Sequence, residues 1–262
     1  MPTYLDKILA AHRAAAAADR RDLGGLLAEA AAGAPTRGFT AALSNGEGLA
    51  VIAEVKRRSP SKGNLAVDLD PVGLAGRYER GGAACLSVLT DAEFFGGSPD
   101  DLRTARDSVG IPVLRKDFTV APADVADARI MGADAVLLIA AALSPTELAD
   151  LLGLSRRLAI DALVEVHDEA EAEVALAAGA SLVGVNQRDL VTFEVDTARA
   201  ERVVKALPES VVRVAESGIR NATDAGRLAD AGFDAVLVGE SLVTSPDPSA
   251  AVAALKGTGR AH

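Results

Sequence analysis

The sequence has little of several residue types that build particular kinds of site. It has no Trp, and aromatic residues make up 3% of its 262 residues, so the core must be built from aliphatic side chains, as in parallel sheets covered by helices. Its only cysteine is Cys85, which excludes a disulfide within the chain and fits a reducing cytoplasm. Because this cysteine and three histidines are all that is available, we expect neither a metal site nor a metal cofactor.

Positive charge is also scarce. The formal net charge is −10, and the sequence contains no basic run and no patch that mixes basic with aromatic residues. A chain this acidic is a poor candidate for binding nucleic acid or an anionic membrane. The first residues lack the charged-then-apolar order of a secretory signal, and no uncharged stretch approaches the length of a membrane span. We therefore expect a cytoplasmic protein, a monomer or weak homo-oligomer, that binds a small molecule and neither nucleic acid nor membrane.

Short apolar runs, by contrast, recur along the whole chain. They are rich in Val, Leu and Ile, as strands buried on both faces usually are. They lie at 49–56, 81–89, 111–117, 131–139, 161–167, 178–185, 210–216 and 231–239. Amphipathic helical stretches separate them, and several begin with capping residues such as Ser144 and Asp196. Strict alternation implies a parallel sheet, and eight such units in this length favour a closed (β/α)8 TIM barrel over an open sheet.

An additional helical segment precedes the first strand. Two amphipathic stretches, at about residues 3–19 and 22–32, predict helices that we interpret as a lid or cap on the barrel. No stretch has the composition of a linker between two folded units. We therefore predict a single α/β domain over residues 1–262, with an N-terminal helical extension at 1–48 and the barrel at 49–256.

Polar residues close most of the apolar runs. They are Glu54 and Lys56 on the first strand, Lys116 on the third, Glu165 on the fifth, Asn186 on the sixth, and Glu216 with Ser217 on the seventh. The carboxyl ends of all barrel strands meet at one mouth, where the chemistry of this fold is done. A charged group at a strand end is costly unless it is paired or functional. Carboxylates and ammoniums at close range shift each other's pKa values, so this ring predicts a general acid–base site.

Each of these residues also has an ordinary structural interpretation. Glu54 and Lys56 could form a plain salt bridge, and Lys116 could belong to a solvated cluster of charges. We interpret His167 as a packed or capping residue and Cys85 as a small core residue. The common position at the ends of different strands, and not any single residue, favours the functional interpretation.

Two loops predict a phosphate site. In this fold phosphate binds at the loops after strands seven and eight, which here contain Gly218 in one and Gly239 with Ser241 in the other. Small residues let backbone N–H groups approach an anion closely, and a helix amino terminus adds its dipole. Lys56 could supply a compensating positive charge. The loop after strand one, residues 57–64, is long, polar and basic, which indicates a mobile active-site loop or an ordinary solvated one.

Several segments at these positions resemble the motifs of one enzyme family. They are IAEVKRRSPSKG (52–63), TDAEFFGGS (90–98), VLRKDF (113–118), LVEVH (163–167), GVNQRDL (184–190), AESGI (215–219) and VGESL (238–242). In this order, from about residue 49 to 250, they resemble indole-3-glycerol phosphate synthase. Related barrels share the phosphate end but not the pair of motifs EVKxxSPS and LRKDF.

The resemblance implies a reaction and a set of roles. The substrate would be 1-(2-carboxyphenylamino)-1-deoxyribulose 5-phosphate, which closes a ring and loses CO2 and water in tryptophan biosynthesis. Lys116 would be the general acid at the carbonyl, and we expect neighbouring cations to lower its pKa. Glu165 would assist the later proton transfers. Glu54 and Asn186 would hold substrate hydroxyls and tune Lys116, and Lys56 would bind substrate oxyanions and share the acid role.

The resemblance also implies what surrounds this centre. Glu216 and Ser217 would complete the acid–base site, and Ser59 and Arg188 would lie near the substrate carboxylate or the closing loop. Phe118 would pack on the substrate ring, with Tyr4 and the pair Phe94–Phe95 as further candidates. The glycines and the serine of the two phosphate loops would hold the phosphate, and no metal or organic cofactor is implied. The sequence departs from the family at Glu93, where a basic residue is common, and at Gln187, where Asn is frequent.

Three other functions fit the same barrel. One is a Schiff-base lyase or aldolase with Lys116 or Lys56 as the nucleophile. Another is a barrel that binds a phosphorylated metabolite without turning it over. A third is an interaction partner for other enzymes of the pathway. The ring of carboxylates favours proton transfer over the first, the retained Glu54, Lys116 and Glu165 argue against the second, and binding assays with those enzymes would test the third.

Overall fold

The computed structural model describes residues 3–44, 46, 48–59, 62–189 and 191–257. Its strands are β1 (Ala50–Val55), β2 (Arg58–Ser59), β3 (Gly63–Asn64), β4 (Cys85–Leu89), β5 (Val113–Lys116), β6 (Ala135–Ile139), β7 (Asp161–Val166), β8 (Leu182–Asn186), β9 (Val212–Glu216) and β10 (Ala235–Val238). All except β2 and β3 pair in parallel and close into an eight-stranded barrel in chain order. Each barrel strand overlaps one predicted apolar run, so the prediction of a (β/α)8 TIM barrel is confirmed.

Helices connect the barrel strands on the outside. The helices of the described residues are α1 (Tyr4–Ala18), α2 (Leu23–Ala32), α3 (Phe39–Ser44), α4 (Pro71–Arg80), α5 (Ala92–Phe95), α6 (Pro99–Asp107), α7 (Pro122–Ile130), α8 (Pro145–Arg157), α9 (Glu169–Ala177), α10 (Thr197–Val203), α11 (Ala222–Asp230), α12 (Glu240–Val243) and α13 (Pro248–Lys256). Both predicted caps are confirmed: the side chain of Ser144 accepts from Glu147 N–H at the start of α8, and that of Asp196 accepts from Ala198 N–H at the start of α10. None of the helices described is long and apolar enough to cross a membrane.

The N-terminal segment contacts the barrel at three different places. Helix α1 lies at the mouth, α2 packs on α7 at the side, and α3 packs against β1, β4 and β9. Phe39 and Leu43 of α3 are buried, and Thr40 N–H donates to Asp161, the first residue of β7, at 2.8 Å. Helix α3, which the sequence analysis did not predict, therefore closes the amino-terminal end of the barrel. Only α1 is positioned to cover a site at the opposite end.

The core is aliphatic, as the scarcity of aromatic residues predicted. The buried residues of the barrel strands are Val, Leu, Ile and Ala with few exceptions, and Phe39 and Phe233 are among the largest fully buried side chains. The buried glutamates among these exceptions lie at the carboxyl ends: Glu54, Glu165 and Glu216 are 4%, 1% and 2% exposed. Buried carboxylates are costly without partners, so the packing of the fold points to this end as the functional one.

Candidate active site

A cavity of about 890 Å³ opens at the carboxyl ends of the barrel strands. Apart from the further aromatic candidates Tyr4 and Phe94, its wall includes every predicted site residue: Glu54, Lys56, Ser59, Lys116, Phe118, Glu165, Asn186, Arg188, Glu216, Ser217, Gly218, Gly239 and Ser241. These residues come from six barrel strands and the loops that follow them. The fold therefore brings them around one space large enough for a small phosphorylated molecule.

Lys116 is the centre of the polar wall. Its Nζ lies 3.0 Å from Oε2 of Glu165 and 3.7 Å from Oε2 of Glu216. The other oxygen of Glu165, Oε1, accepts a hydrogen bond from Asn186 Nδ2 at 3.2 Å. The Oδ1 of Asn186 accepts in turn from the backbone N–H of Arg188 at 3.0 Å, which fixes the orientation of the amide. The four side chains thus form a connected network across β5, β7, β8 and β9.

The charges of this network are strongly interdependent. Burial disfavours the charge on Lys116, but the carboxylates Glu165, Glu216 and Glu54 outweigh it and raise its pKa. The expectation that neighbouring cations lower the pKa of Lys116 is therefore wrong, because its neighbours are anions. Burial likewise opposes the ionisation of Glu165, yet Lys116 and other neighbours hold the pKa of this carboxyl below its ordinary value.

Glu216 has the opposite behaviour. Burial, and then the charge of Glu165, raise the pKa of Glu216 well above its ordinary value of 4.5. Its Oε1 is buried and has no hydrogen-bond partner among the described residues. Because its pKa is raised, the Glu216 carboxyl keeps its proton near neutral pH. The site thus holds a charged lysine, an ionised carboxylate and a protonated carboxyl side by side, which is the equipment for proton donation and removal.

Two glycines make room for the acidic side chains. A Cβ added to Gly184 would lie 2.1 Å from Oε1 of Glu216, and one added to Gly239 would lie 2.3 Å from Oε1 of Glu54. No real side chain tolerates such distances. Gly239 was predicted to approach phosphate, and its contact with Glu54 is a second reason for glycine at that position. Gly184 was missed, because nothing in the sequence shows which side chain it faces.

Glu54 and Lys56 face the cavity together, as strand alternation predicted. Lys56 Nζ lies 2.5 Å from Oε1 of Glu54. The salt bridge foreseen as an alternative is present, but both of its members line the cavity. A substrate oxyanion would therefore meet a lysine that is held by a neighbouring carboxylate and is open to the cavity.

The loops after β9 and β10, which were predicted to hold phosphate, are joined by hydrogen bonds, and the first of them contains an unusual turn. Ser217 and Gly218 adopt φ of 67° and 73°, and for serine this conformation is uncommon. Gln187, which is completely buried, donates from Nε2 to the carbonyl of Ser217 at 2.7 Å. Ser241 donates from Oγ to the carbonyl of Ile219 at 3.0 Å and so joins the two loops. Gln187, which stands where the family frequently has Asn, therefore stabilises the turn at Ser217 and Gly218 directly.

The loops after β1 and β8 form the rest of the rim. Strands β2 and β3 pair as a small hairpin that contains Ser59, whereas Pro60 and Ser61 of the predicted mobile loop lie outside the described residues. Arg188 donates to the carbonyl of Phe193 at 3.0 Å, which holds the loop after β8 against the rim. The guanidinium of Arg188 is thus partly occupied by its own loop.

Aromatic residues cover one side of the cavity. Phe95, Phe118 and Phe193 line it, and the rings of Phe95 and Phe118 are 6.3 Å apart. Tyr4 of α1 packs edge-on against Phe193 and Phe94, with ring centroids 5.4 and 6.0 Å apart. The predicted aromatic candidates therefore belong to one layer, to which the structure adds Phe193. Glu93, which stands where the family commonly has a basic residue, is exposed.

Helix α1 is attached to this layer through His12. Its Nε2 lies 3.0 Å from Oδ2 of Asp91, and its ring lies 5.4 Å from that of Phe118. Asp117 is 3.9 Å away. The ligand atoms of these three side chains lie within 4.8 Å of one another, as metal ligands would. Asp91 also caps α5, however, and Asp117 accepts from Arg115 at 3.0 Å, so the carboxylates are already used in structural contacts.

The fold and this acid–base centre define a (β/α)8-barrel enzyme. The family model described as indole-3-glycerol phosphate synthase matches residues 5–255. Proteins named indole-3-glycerol phosphate synthase from Mycobacteroides abscessus and Mycobacterium tuberculosis are each 51% identical over 259 residues, which cover 98% of this chain and 95% of theirs. The chain belongs to the indole-3-glycerol phosphate synthase family, decarboxylating lyases of tryptophan biosynthesis, and the resemblance drawn from its motifs is confirmed.

A solved structure adds support for the fold alone. Thiamine phosphate pyrophosphorylase from Pyrococcus furiosus superimposes with a TM-score of 0.61 at 16% sequence identity, covering 80% of this chain and 95% of that one. At this identity the likeness concerns the barrel, and function has to be argued from the site.

Proposed function

We propose that this protein converts 1-(2-carboxyphenylamino)-1-deoxyribulose 5-phosphate into indole-3-glycerol phosphate, CO2 and water. The observation that carries the proposal is the position of Lys116 between Glu165 and Glu216 on the wall of the cavity. Family membership supplies the substrate, and this arrangement supplies the proton donors and acceptors that the reaction needs.

Lys116 acts as the acid in the first step. It donates a proton to the ribulose carbonyl oxygen while the ring carbon that bears the carboxylate attacks the carbonyl carbon. The electrons of the bond to the carboxylate then return to the ring as CO2 leaves. A lysine with a raised pKa is charged before this step over the working pH range, so its proton is available to the carbonyl oxygen as the negative charge develops there.

Dehydration needs an acid and a base at neighbouring atoms. The new hydroxyl leaves as water after taking a second proton, and the carbon next to the nitrogen loses one. Glu165, which is ionised, takes the proton from carbon. Glu216, which keeps its proton near neutral pH, can supply the one that leaves with water.

The remaining residues hold the substrate. Glu54 and Asn186 bind its hydroxyls, and Lys56 binds its oxyanions and shares the acid role. Ser217 completes the acid–base site beside Glu216, and Ser59 and Arg188 lie on the side of the substrate carboxylate. Phe118 packs on the aromatic ring, and the phosphate binds at Gly218, Gly239 and Ser241. Their shared position on the cavity wall supports these assignments.

The state of Lys116 disfavours a Schiff-base mechanism. A nucleophilic lysine must lose its proton, which a lowered pKa allows, whereas three carboxylates raise the pKa of Lys116. We further infer a single domain over 1–262 with its extension at 1–48, acting in the cytoplasm as a monomer or weak homo-oligomer without a cofactor.

The test is to mix the purified protein with the carboxyphenylamino-deoxyribulose phosphate and follow indole fluorescence. We expect indoleglycerol phosphate and CO2 in equal amounts. Binding of the substrate without product would favour a barrel that has lost turnover. Trapping of substrate on the protein by borohydride would instead favour the lyase or aldolase.

A further inference from the structure

His167, which the sequence analysis interpreted as a packed or capping residue, lies between two carboxylates. It directly follows β7, two residues after Glu165. Its Nε2 is 3.6 Å from Oε1 of Glu165, and its Nδ1 is 3.0 Å from Oε2 of Glu171 in the first turn of α9. The same Glu171 oxygen accepts the backbone N–H of His167 at 2.8 Å. The imidazole therefore connects the acid–base centre to a helix on the outside of the barrel.

Side-chain exposure increases from Glu165 through His167 to Glu171. The side chain of Glu165 is 2% exposed, that of His167 is 11% exposed and that of Glu171 is 25% exposed. Nε2 of His167 is buried and makes no hydrogen bond within the described part of the chain. Buried polar atoms in native proteins nearly always have a partner. The unpaired nitrogen faces the acid–base centre, where Oε1 of Glu165 is 3.6 Å away.

Three charged groups face the imidazole from the elements around it. Glu165 belongs to β7, Glu171 to α9 and Arg199 to α10. Burial and the charge of Arg199 disfavour a second proton on the ring, but the two carboxylates outweigh them and raise the pKa of His167. The charged form thus matches the geometry, because both ring nitrogens then carry a proton and each faces a carboxylate.

Different side chains face the two oxygens of the Glu165 carboxylate. Oε1 faces His167 and Asn186, whereas Oε2 faces Lys116. Asn186 holds Oε1 by a hydrogen bond, and a charged His167 attracts the same oxygen, so Oε2 is directed at Lys116, where protons move.

We propose that His167, anchored by Glu171, is a positioning residue that orients Glu165 and keeps it ionised for its work as a base. This inference rests on the proposed function for the step that it supports. The arrangement Glu171–His167–Glu165 follows the general design in which an outer group orients the residue that holds the working one. In this role His167 neither makes nor breaks a covalent bond.

The experiment compares His167→Gln and Glu171→Gln with the wild type in kcat, KM and the pH profile of kcat/KM. Glutamine at 167 keeps an N–H donor on the side chain but carries no charge. We expect kcat to fall about tenfold with KM changed less than about twofold. We also expect the acid limb to move to higher pH by about one unit, because a carboxylate that loses a cationic neighbour holds its proton more tightly. Glu171→Gln should shift the limb in the same direction by less.

The control is Glu169→Gln, which removes the same charge from the exposed first turn of α9 and should leave the profile unchanged. An acid limb of His167→Gln that coincides with that of the wild type would overturn the proposal. Titration of the His167 ring by NMR gives a second measurement that needs no turnover. The ring pKa should fall in both Glu165→Gln and Glu171→Gln, and an unchanged value would overturn the proposal even if the wild type made no indole. Absence of product from the wild type, with this titration as expected, would instead refute the proposed function.

Discussion

Lys116 and Glu165 meet across the mouth of the barrel, with Nζ 3.0 Å from Oε2, although 49 residues separate them in the chain. Each lies at the carboxyl end of its own strand, and the closure of the barrel brings the strand ends together. The pair is nearly enclosed, with side-chain exposures of 16% and 2%. Buried ion pairs of this kind rarely add much stability, so their value lies in the chemistry that they allow.

Replacement of Lys116 by alanine should abolish most of the activity. We expect kcat to fall by about 10²–10⁴-fold, the usual contribution of a general acid, with substrate binding largely retained because the phosphate is held elsewhere. The measurement is indole fluorescence under single-turnover conditions. Lys205→Ala, a substitution at an exposed lysine on the outside of the barrel, is the matched control. Comparable loss in both variants would refute the assignment of the acid.

Glu216 should make the protein less stable as pH rises. Its pKa is raised in the folded state, so between the ordinary value of 4.5 and the folded value the native protein holds a proton that the unfolded chain has released. Stability then declines with pH across this range, by at most about 1.4 kcal/mol per pH unit.

Glu216→Gln, which resembles the protonated form, should remove this decline. Urea unfolding of the two proteins at a series of pH values from 5 to 9 measures the difference. Parallel stability curves would show that Glu216 is ionised in the folded protein.

The barrel and the members of the acid–base site were predictable because they follow periodic rules. Apolar runs of strand length recur between helical stretches, and polar residues such as Glu54 and Glu165 end them. The parallel barrel then places all these ends at one mouth. Knowing the order of strands was enough to bring the residues together.

Contacts that depend on side-chain direction were not predictable. Helix α3 is only six residues long and has no clear periodicity, and its place under the barrel is set by Phe39 and by the contact with Asp161. The support of Ser217 by Gln187 and the direction of His167 toward Glu165 depend on the local backbone at the strand ends. The pKa of Lys116 was mispredicted for the same reason, because the sequence did not show which charges would be nearest.

Gly184→Ala should disturb the acid–base site because the added methyl group takes the space of the Glu216 side chain. The added Cβ would lie 2.1 Å from Oε1 of Glu216 and 3.2 Å from Leu163, so the Glu216 side chain must move. We expect a stability loss of about 1–3 kcal/mol, typical of overpacking, with a fall in kcat that exceeds any change in KM.

The control for this change is Gly153→Ala within α8. There an added Cβ would lie 3.6 Å from the Arg157 side chain, an ordinary contact. Alanine in a helix should leave activity intact and raise stability by about 0.4–1 kcal/mol. Chemical denaturation with parallel kinetics distinguishes the two variants, and full activity in Gly184→Ala would mean that Glu216 is not needed where it lies.

The attachment of α1 to the barrel mouth should depend on pH through His12. A hydrogen bond to Asp91, opposed by burial and aided by the charge of Asp117, raises the pKa of His12 above its ordinary value of 6.5. A raised histidine pKa contributes stability that is fully present below 6.5 and is lost as pH rises through the folded value. His12→Gln should therefore destabilise the protein by about 1.5 kcal/mol at pH 6 and by much less at pH 9.

The same variant should also weaken substrate binding, because the His12 ring lies behind Phe118 on the cavity wall. We expect KM to rise with kcat nearly unchanged, which separates a contribution to the wall from a role in proton transfer. A double-mutant cycle with Asp91→Asn measures the coupling of the pair directly. A coupling energy that stayed the same at pH 6 and pH 9 would show that the contact does not depend on the charge of His12, and α1 would then be held by the packing of Tyr4 on Phe94 and Phe193.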